Sequence, residues 1–272
     1  HCVLSYLSAS YNLLIKKERR LLIVTSSSSS KFKARKTALY VLITYFVCQL
    51  SVIVLRISPE LLEYLLEFIS APTKQEQLIK LSAWWSTASF AVATLISFLL
   101  IQRDKHFWNI FKGEKASIGA SIGWGIIGFF LVFFGQSIGA YIELALGIEM
   151  GSENTADIMT ITKVAPVMII ATVLLGPILE ELIFRRVIFG SIVQNYNFWI
   201  ASIISSFVFA AIHMDFTHII IYAISGMVFA FLYYKTKRLL TSIIAHVLLN
   251  GFVTVVQMYA DTFQQIIDNA PK

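Results

Sequence analysis

The chain is poor in charge, in cysteine and in proline. Only 14% of its 272 residues are Asp, Glu, Lys or Arg, where a soluble domain carries about a quarter. With 57% hydrophobic residues, that deficit excludes an ordinary water-soluble globule and points to a polytopic membrane protein. Cys2 and Cys48 are too few and too far apart for a disulfide framework or a thiolate metal site. The net charge of +6 does not call for a nucleic-acid partner. In a membrane protein, basic residues chiefly mark the loops kept in the cytoplasm. A secretory signal is excluded too, because the apolar stretch His1–Ile15 precedes Lys16, Lys17, Arg19 and Arg20 instead of following a basic region.

What the chain does have is a succession of apolar runs. Spans are expected at Thr37–Leu55, Leu81–Ile101, Ile118–Ile142, Val164–Phe184, Phe198–His213, Ile219–Tyr234 and Leu239–Tyr259. Most approach the ~20 residues that cover ~30 Å of hydrocarbon at 1.5 Å per residue. Backbone groups in lipid must be satisfied within their own segment, so the spans are helices. The expected fold is an all-α integral membrane bundle of about seven transmembrane helices enclosing a polar cavity. Residues 37–260 form a single transmembrane domain. Residues 1–36, with the run Ser26–Ser30, are a basic arm, disordered or the remnant of a longer piece. Leu61–Phe68 reads as a short amphipathic helix along the surface.

Placing the amino terminus in the cytoplasm puts 17 of the 22 Lys and Arg inside, Arg185 and Arg186 among them, and the bias runs the same way in every loop. Glu143, Glu149, Glu153 and Asp157 then fall in an outside loop. The third span carries Gly119, Gly123, Gly125, Gly128, Gly135 and Gly139, and small residues of this kind let helices approach closely in lipid.

Chemistry concentrates between Gly176 and Asn250. In Gly176-Pro177-Ile178-Leu179-Glu180-Glu181-Leu182-Ile183-Phe184-Arg185-Arg186, two adjacent carboxylates end a long apolar run. Ionised groups in or beside a bilayer are costly and usually mark function. The neutral readings are a wet helix end anchored by the arginines, or a Glu181–Arg185 helix pair worth only ~0.3–0.5 kcal/mol. Two later spans repeat the i, i+4 spacing, with Phe209 and His213 on one and His246 and Asn250 on the other. His218, in the turn Met214–Thr217 and beyond, reads as interfacial. Two glutamates, two histidines, an asparagine and an arginine exceed what helix association needs. They supply a base, hydrogen-bond donors and a counter-charge suited to peptide hydrolysis.

The ordered set Glu180-Glu181-x-x-x-Arg185, Phe209-x-x-x-His213 and His246-x-x-x-Asn250 resembles the three motifs of the CPBP intramembrane proteases. That family includes the CAAX prenyl-protein endopeptidases and bacterial proteins of bacteriocin processing and immunity. The resemblance covers a protease-like core at residues 164–259. Lys235-Thr-Lys-Arg238 and the seven-span count suggest a bacterial plasma-membrane member. The resemblance implies an endopeptidase acting on a hydrophobic or membrane-associated peptide or protein inside the bilayer. It makes Glu180 the base that activates water, helped by His213. Glu181 supports it and pairs with Arg185, Phe209 supports the second motif, and His246 and Asn250 donate to the developing oxyanion. No cofactor is implied. The alternative is a zinc ion on Glu180, His213 and His246, although no His-Glu-x-x-His pair is present. Competing functions are cation- or proton-coupled transport and a non-catalytic immunity or scaffold role.

One difficulty stands at this level. Measured from an inner boundary at Arg185 and Arg238, Glu180 lies ~7 Å deep and His246 ~12 Å, whereas His213, counted from Phe198, lies ~22 Å deep. Either the Phe198 helix starts in the cytoplasm, or it is re-entrant, or the boundary is misplaced.

Overall fold

The computed structural model describes residues 35–260 and 262. Most of the expected amino-terminal arm therefore lies outside the described residues, and those described are helical or irregular, with no strand among them. In order they form α1 (35–50), α2 (Ile53–Ile57), α3 (Pro59–Leu66), α4 (Lys74–Gln102), α5 (Ile118–Ala145) and α6 (Glu153–Val164). A composite helix follows, which we call α7. It is π-helical over Ile170–Leu175, α-helical over Gly176–Glu180, π-helical over Glu181–Phe189 and α-helical over Gly190–Val193. Then come α8 (Phe198–Ala211), α9 (Ile219–Thr236) and α10 (Leu239–Met258).

Local chemistry sets the helix ends. Thr73 Oγ1 accepts from the Glu76 amide at 3.2 Å, and Ser117, Ser152 and Asn197 cap α5, α6 and α8 in the same way. Each side chain satisfies one of the amides that a helix start leaves without a partner. Lys237, in the left-handed region at φ 56°, ends α9 and lets α10 begin two residues later.

Four helices, α4, α5, α9 and α10, are long and apolar enough to cross a membrane. Large apolar side chains such as Phe134, Ile138, Trp199 and Phe207 stay exposed, as a lipid-facing surface requires. The third-span glycines do mediate close packing, though not all of them. A Cβ on Gly128 would collide with Leu232 of α9 and lie 3.0 Å from Ala245 Cβ of α10. A Cβ on Gly125 and on Gly135 would meet Ile244 and Ile224 at 2.7 and 2.8 Å, Gly139 is tight at 3.1 Å, and Gly119 and Gly123 face open space. Gly226 does the same for α8 against α9, where a Cβ would sit 2.8 Å from Ser206 Cβ.

Three expectations need correction. The span expected at Val164–Phe184 is divided differently, since Val164 ends α6 and α7 runs from Ile170 to Val193. Pro166 explains the break, because the residue before a proline disfavours the helical region. Arg185 and Arg186 are accordingly not loop residues. They lie inside α7, 0% and 2% exposed, and carry no information about loop charge. Glu143 is not in a loop either, but buried in the last turn of α5 beside an equally buried His218.

The longer α7 eases one part of the depth conflict. Glu180 is 13 residues from Val193, close to the 15 that separate Phe198 from His213, and a loop of only four residues joins the two helices. His246 remains eight residues from Arg238.

Candidate active site

Helix α7 carries the two glutamates, and its irregularity follows from two residues. The Gly176 amide bonds to the Ala171 carbonyl, a π-type step of five. A Cβ on Gly176 would lie 2.8 Å from that same oxygen, so the widened turn needs glycine. Pro177 has no N–H to offer. Thr172 O is thus denied both helical donors, the one at 176 being committed and the one at 177 missing. Asn250 Nδ2 of α10 takes its place at 2.9 Å. In the second widened stretch, Ser205 Oγ of α8 donates to Phe184 O at 2.6 Å. A broken helix is tolerated in a membrane protein when neighbouring side chains satisfy the freed backbone, and α7 meets that condition at Thr172 O.

Glu181 faces the bundle interior and is fully buried. Its Oε2 lies 3.3 Å from Arg185 Nε, and its Oε1 lies 3.0 Å from His246 Nδ1. A carboxylate can only accept, so with Glu181 ionised Nδ1 carries the proton and Nε2 is the free nitrogen of a neutral His246. That Nε2 lies 3.7 Å from Glu180 Oε2, too far for a direct hydrogen bond. Glu180 differs from its neighbour in access, its side chain being 16% exposed.

Arg185 is fully buried, and none of its guanidinium nitrogens makes a hydrogen bond of good geometry among the described residues. It is held by the charge of Glu181 and by two aromatic faces. Its Cζ lies 4.5 Å from the Phe209 ring centre and 5.3 Å from that of Phe229. Desolvated cation–π contacts of this kind are worth up to ~2 kcal/mol. Phe209 also meets His213, with ring centres at 4.7 Å, and His246 at 5.9 Å. His246 stacks on Phe229 at 4.5 Å. His213 follows the end of α8, its Nδ1 against Phe209 O at 2.8 Å.

Glu180, Glu181, Arg185, Phe209, His213 and His246 are thus assembled around one interior by α7, α8 and α10, and Asn250 reaches the same region through the α7 backbone. The gap beside Leu179, bounded by Tyr45, Gln49, Ser89 and Phe90, leaves essentially no volume for a water molecule, so the site is closed on that side. A pocket of about 350 Å³ lies elsewhere, between Phe68, Lys80, Trp84 and Pro166. Among the described residues, no three His, Cys, Asp or Glu side chains converge closely enough to hold a metal ion. In both His213 and His246 the Nδ1 is engaged and Nε2 is left free, the arrangement in which a histidine can also ligate a metal.

Two groups near the site have no counterpart in the sequence reading. Tyr45 of α1 is buried, packs on Phe184 with ring centres at 6.3 Å, and lies within electrostatic range of Glu180. Tyr222 of α9 stacks on His213 at 4.2 Å. Neither had a local signal, for one is among three aromatics of the first span, beside Tyr40 and Phe46, and the other sits in the apolar run after His218.

Residues 162–252 match the model of the Rce1-like family, described as type II CAAX prenyl endopeptidase Rce1-like. YdiL of Bacillus subtilis (strain 168), described as a candidate membrane peptidase, is 38% identical over 225 residues, covering 82% of this chain and 90% of YdiL. The membrane-embedded CAAX protease MroQ of Staphylococcus aureus (strain USA300) is 37% identical over 144 residues, 50% of this chain and 58% of MroQ. No solved structure matches the chain. Buried motif residues, apolar helices and a relative aligned along nearly its whole length agree: this chain is an integral membrane protein of bacterial type that belongs to the Rce1-like CAAX protease family.

Proposed function

We propose that the chain is an intramembrane endopeptidase in which Glu180 activates water. The observation that carries this reading is the unequal treatment of two adjacent carboxylates. Glu181 is sealed in and committed to Arg185 and His246, so it serves as an anchor. Glu180 keeps partial exposure, and His246 Nε2 stands 3.7 Å from its Oε2. A base must reach the proton it removes, and of the two only Glu180 has room to do so. It takes a proton from water as the oxygen adds to the scissile carbonyl, and it returns that proton to the leaving amine when the C–N bond breaks. His213 assists as a second acceptor. The oxyanion is met by His246, once protonated at Nε2, and by the second N–H of Asn250, whose first N–H holds Thr172 O. One such donor is worth ~2.7–4 kcal/mol in the transition state.

No step is routed through a metal. In the full bundle α1, α7 and α8 join α4, α5, α9 and α10 to make seven crossings around a polar interior that opens to admit substrate. The substrate is a hydrophobic, membrane-associated peptide or protein, and the amino terminus is cytoplasmic. Full-length protein in liposomes, incubated with a panel of membrane-inserted peptides and followed by mass spectrometry, tests the reading. Discrete cleavage by wild type and none by Glu180→Ala is expected. Equal cleavage by both proteins overturns it.

A further inference from the structure

Among the proposed polar site residues, His213 alone lies outside a helix. Helix α8 ends at Ala211, α9 begins at Ile219, and between them Met214 takes a left-handed backbone at φ 55°. A histidine in such a turn would ordinarily sample several rotamers. Here three contacts restrain it. A carbonyl can only accept, so the 2.8 Å contact with Phe209 O makes Nδ1–H the donor and leaves Nε2 as the basic nitrogen. The ring of Phe209 lies edge-on at 4.7 Å. The ring of Tyr222 stacks on His213 at 4.2 Å with an interplanar angle of 28°.

Tyr222 is itself held from outside the motif region. Its hydroxyl lies 2.9 Å from Ser152 Oγ and accepts from Asn154 Nδ2 at 3.2 Å. Ser152 is the residue that caps α6. The far end of the turn is tied as well. His218 Nδ1 meets Glu143 Oε2 at 2.8 Å, and Glu143 Oε1 accepts from the Ile221 amide at 3.2 Å. Glu143, Ser152 and Asn154 all precede residue 162, where the match to the family model begins.

We propose that Tyr222 is a positioning residue that clamps the His213 imidazole with Nε2 free, and that α6 sets the clamp through Ser152 and Asn154. The inference rests on the reading in which His213 assists Glu180, but its structural half stands apart from catalysis. Histidine side-chain NMR on the full chain in detergent reads that half, with only five histidines to resolve. Wild type should show an Nδ1–H tautomer for His213 and ring protons shifted upfield by the tyrosine. Tyr222→Leu should abolish the upfield shift and mix the tautomers. Tyr222→Phe and the double variant Ser152→Ala/Asn154→Ala should keep the stack but broaden it.

With the peptide that wild type cleaves in the liposome assay, Tyr222→Leu should lower kcat about 10–100-fold, the scale of a small misplacement of a reacting group. KM should stay within about twofold, and Tyr222→Phe should restore most of the rate. An unchanged His213 spectrum in Tyr222→Leu overturns the clamp. A changed spectrum with unchanged kcat overturns its link to turnover. If wild type cleaves nothing, the protease reading fails while the spectra still decide for or against the clamp.

Discussion

Glu180 and Glu181 are one peptide bond apart and chemically identical, so only environment separates them. Glu180→Gln keeps the shape and removes proton acceptance. It should abolish cleavage while the thermal midpoint of the purified protein stays within a few degrees of wild type, as scanning fluorimetry will show. Arg185→Ala should behave differently. Its partner Glu181 is fully buried, and removing one member of a buried pair typically costs ~3–5 kcal/mol. That variant should lose both its thermal midpoint and its activity, and a loss of activity alone would contradict the burial. A chelator should leave wild-type cleavage intact, whereas a zinc enzyme would be silenced and then rescued by added metal. The spacing of Glu181 and Arg185 was legible in the sequence, but its weight was not. An i, i+4 pair reads the same on a wet helix face, at a few tenths of a kcal/mol, as it does here between aromatic rings.

Among the elements, α7 departs furthest from expectation, and its behaviour is open to a double-mutant cycle. If Asn250 replaces a donor that Pro177 lacks, the two positions are coupled through Thr172 O. Asn250→Ala should destabilise by about 1 kcal/mol in the native background. It should cost measurably less beside Pro177→Ala, where a backbone N–H is again available. Denaturation in detergent reads both values, and strict additivity would remove the argument. Apolar periodicity could not reveal the widened turns, because a run that is hydrophobic all round looks alike in either register. Gly176-Pro177 was the visible hint. Helix α6 was missed for a related reason, since its carboxyl end merges into the apolar residues before α7. Pro166 alone marked the boundary.

For the whole molecule, the apolar spans were readable because the bilayer imposes length and composition on each of them. Contacts between distant parts were not. Glu143 and His218 are 75 residues apart, and no local pattern announces that they meet. Orientation follows from charge bias and is tested by labelling. In a Cys2→Ser/Cys48→Ser background, Glu149→Cys, on the exposed link between α5 and α6, should react with an impermeant maleimide added to intact cells. A cysteine replacing Lys112, between α4 and α5, should react only after the cells are opened. The opposite pattern would invert the protein.

The π-helical stretch Ile170–Leu175 has a consequence for descent. A turn closed by five-residue steps holds one residue more than the ordinary turn it replaces. Deleting a single residue there would break no helix, add no charge and shorten no span below what a bilayer needs. It would close the wide turn to an ordinary one and leave the segments on either side facing nearly as they do now. A sister protein with every motif letter intact, but one residue shorter between Pro166 and Glu180, would keep its glutamates toward His246 and lose only the extra residue. A one-residue gap in that interval therefore belongs to the widened turn and is no mark against shared geometry.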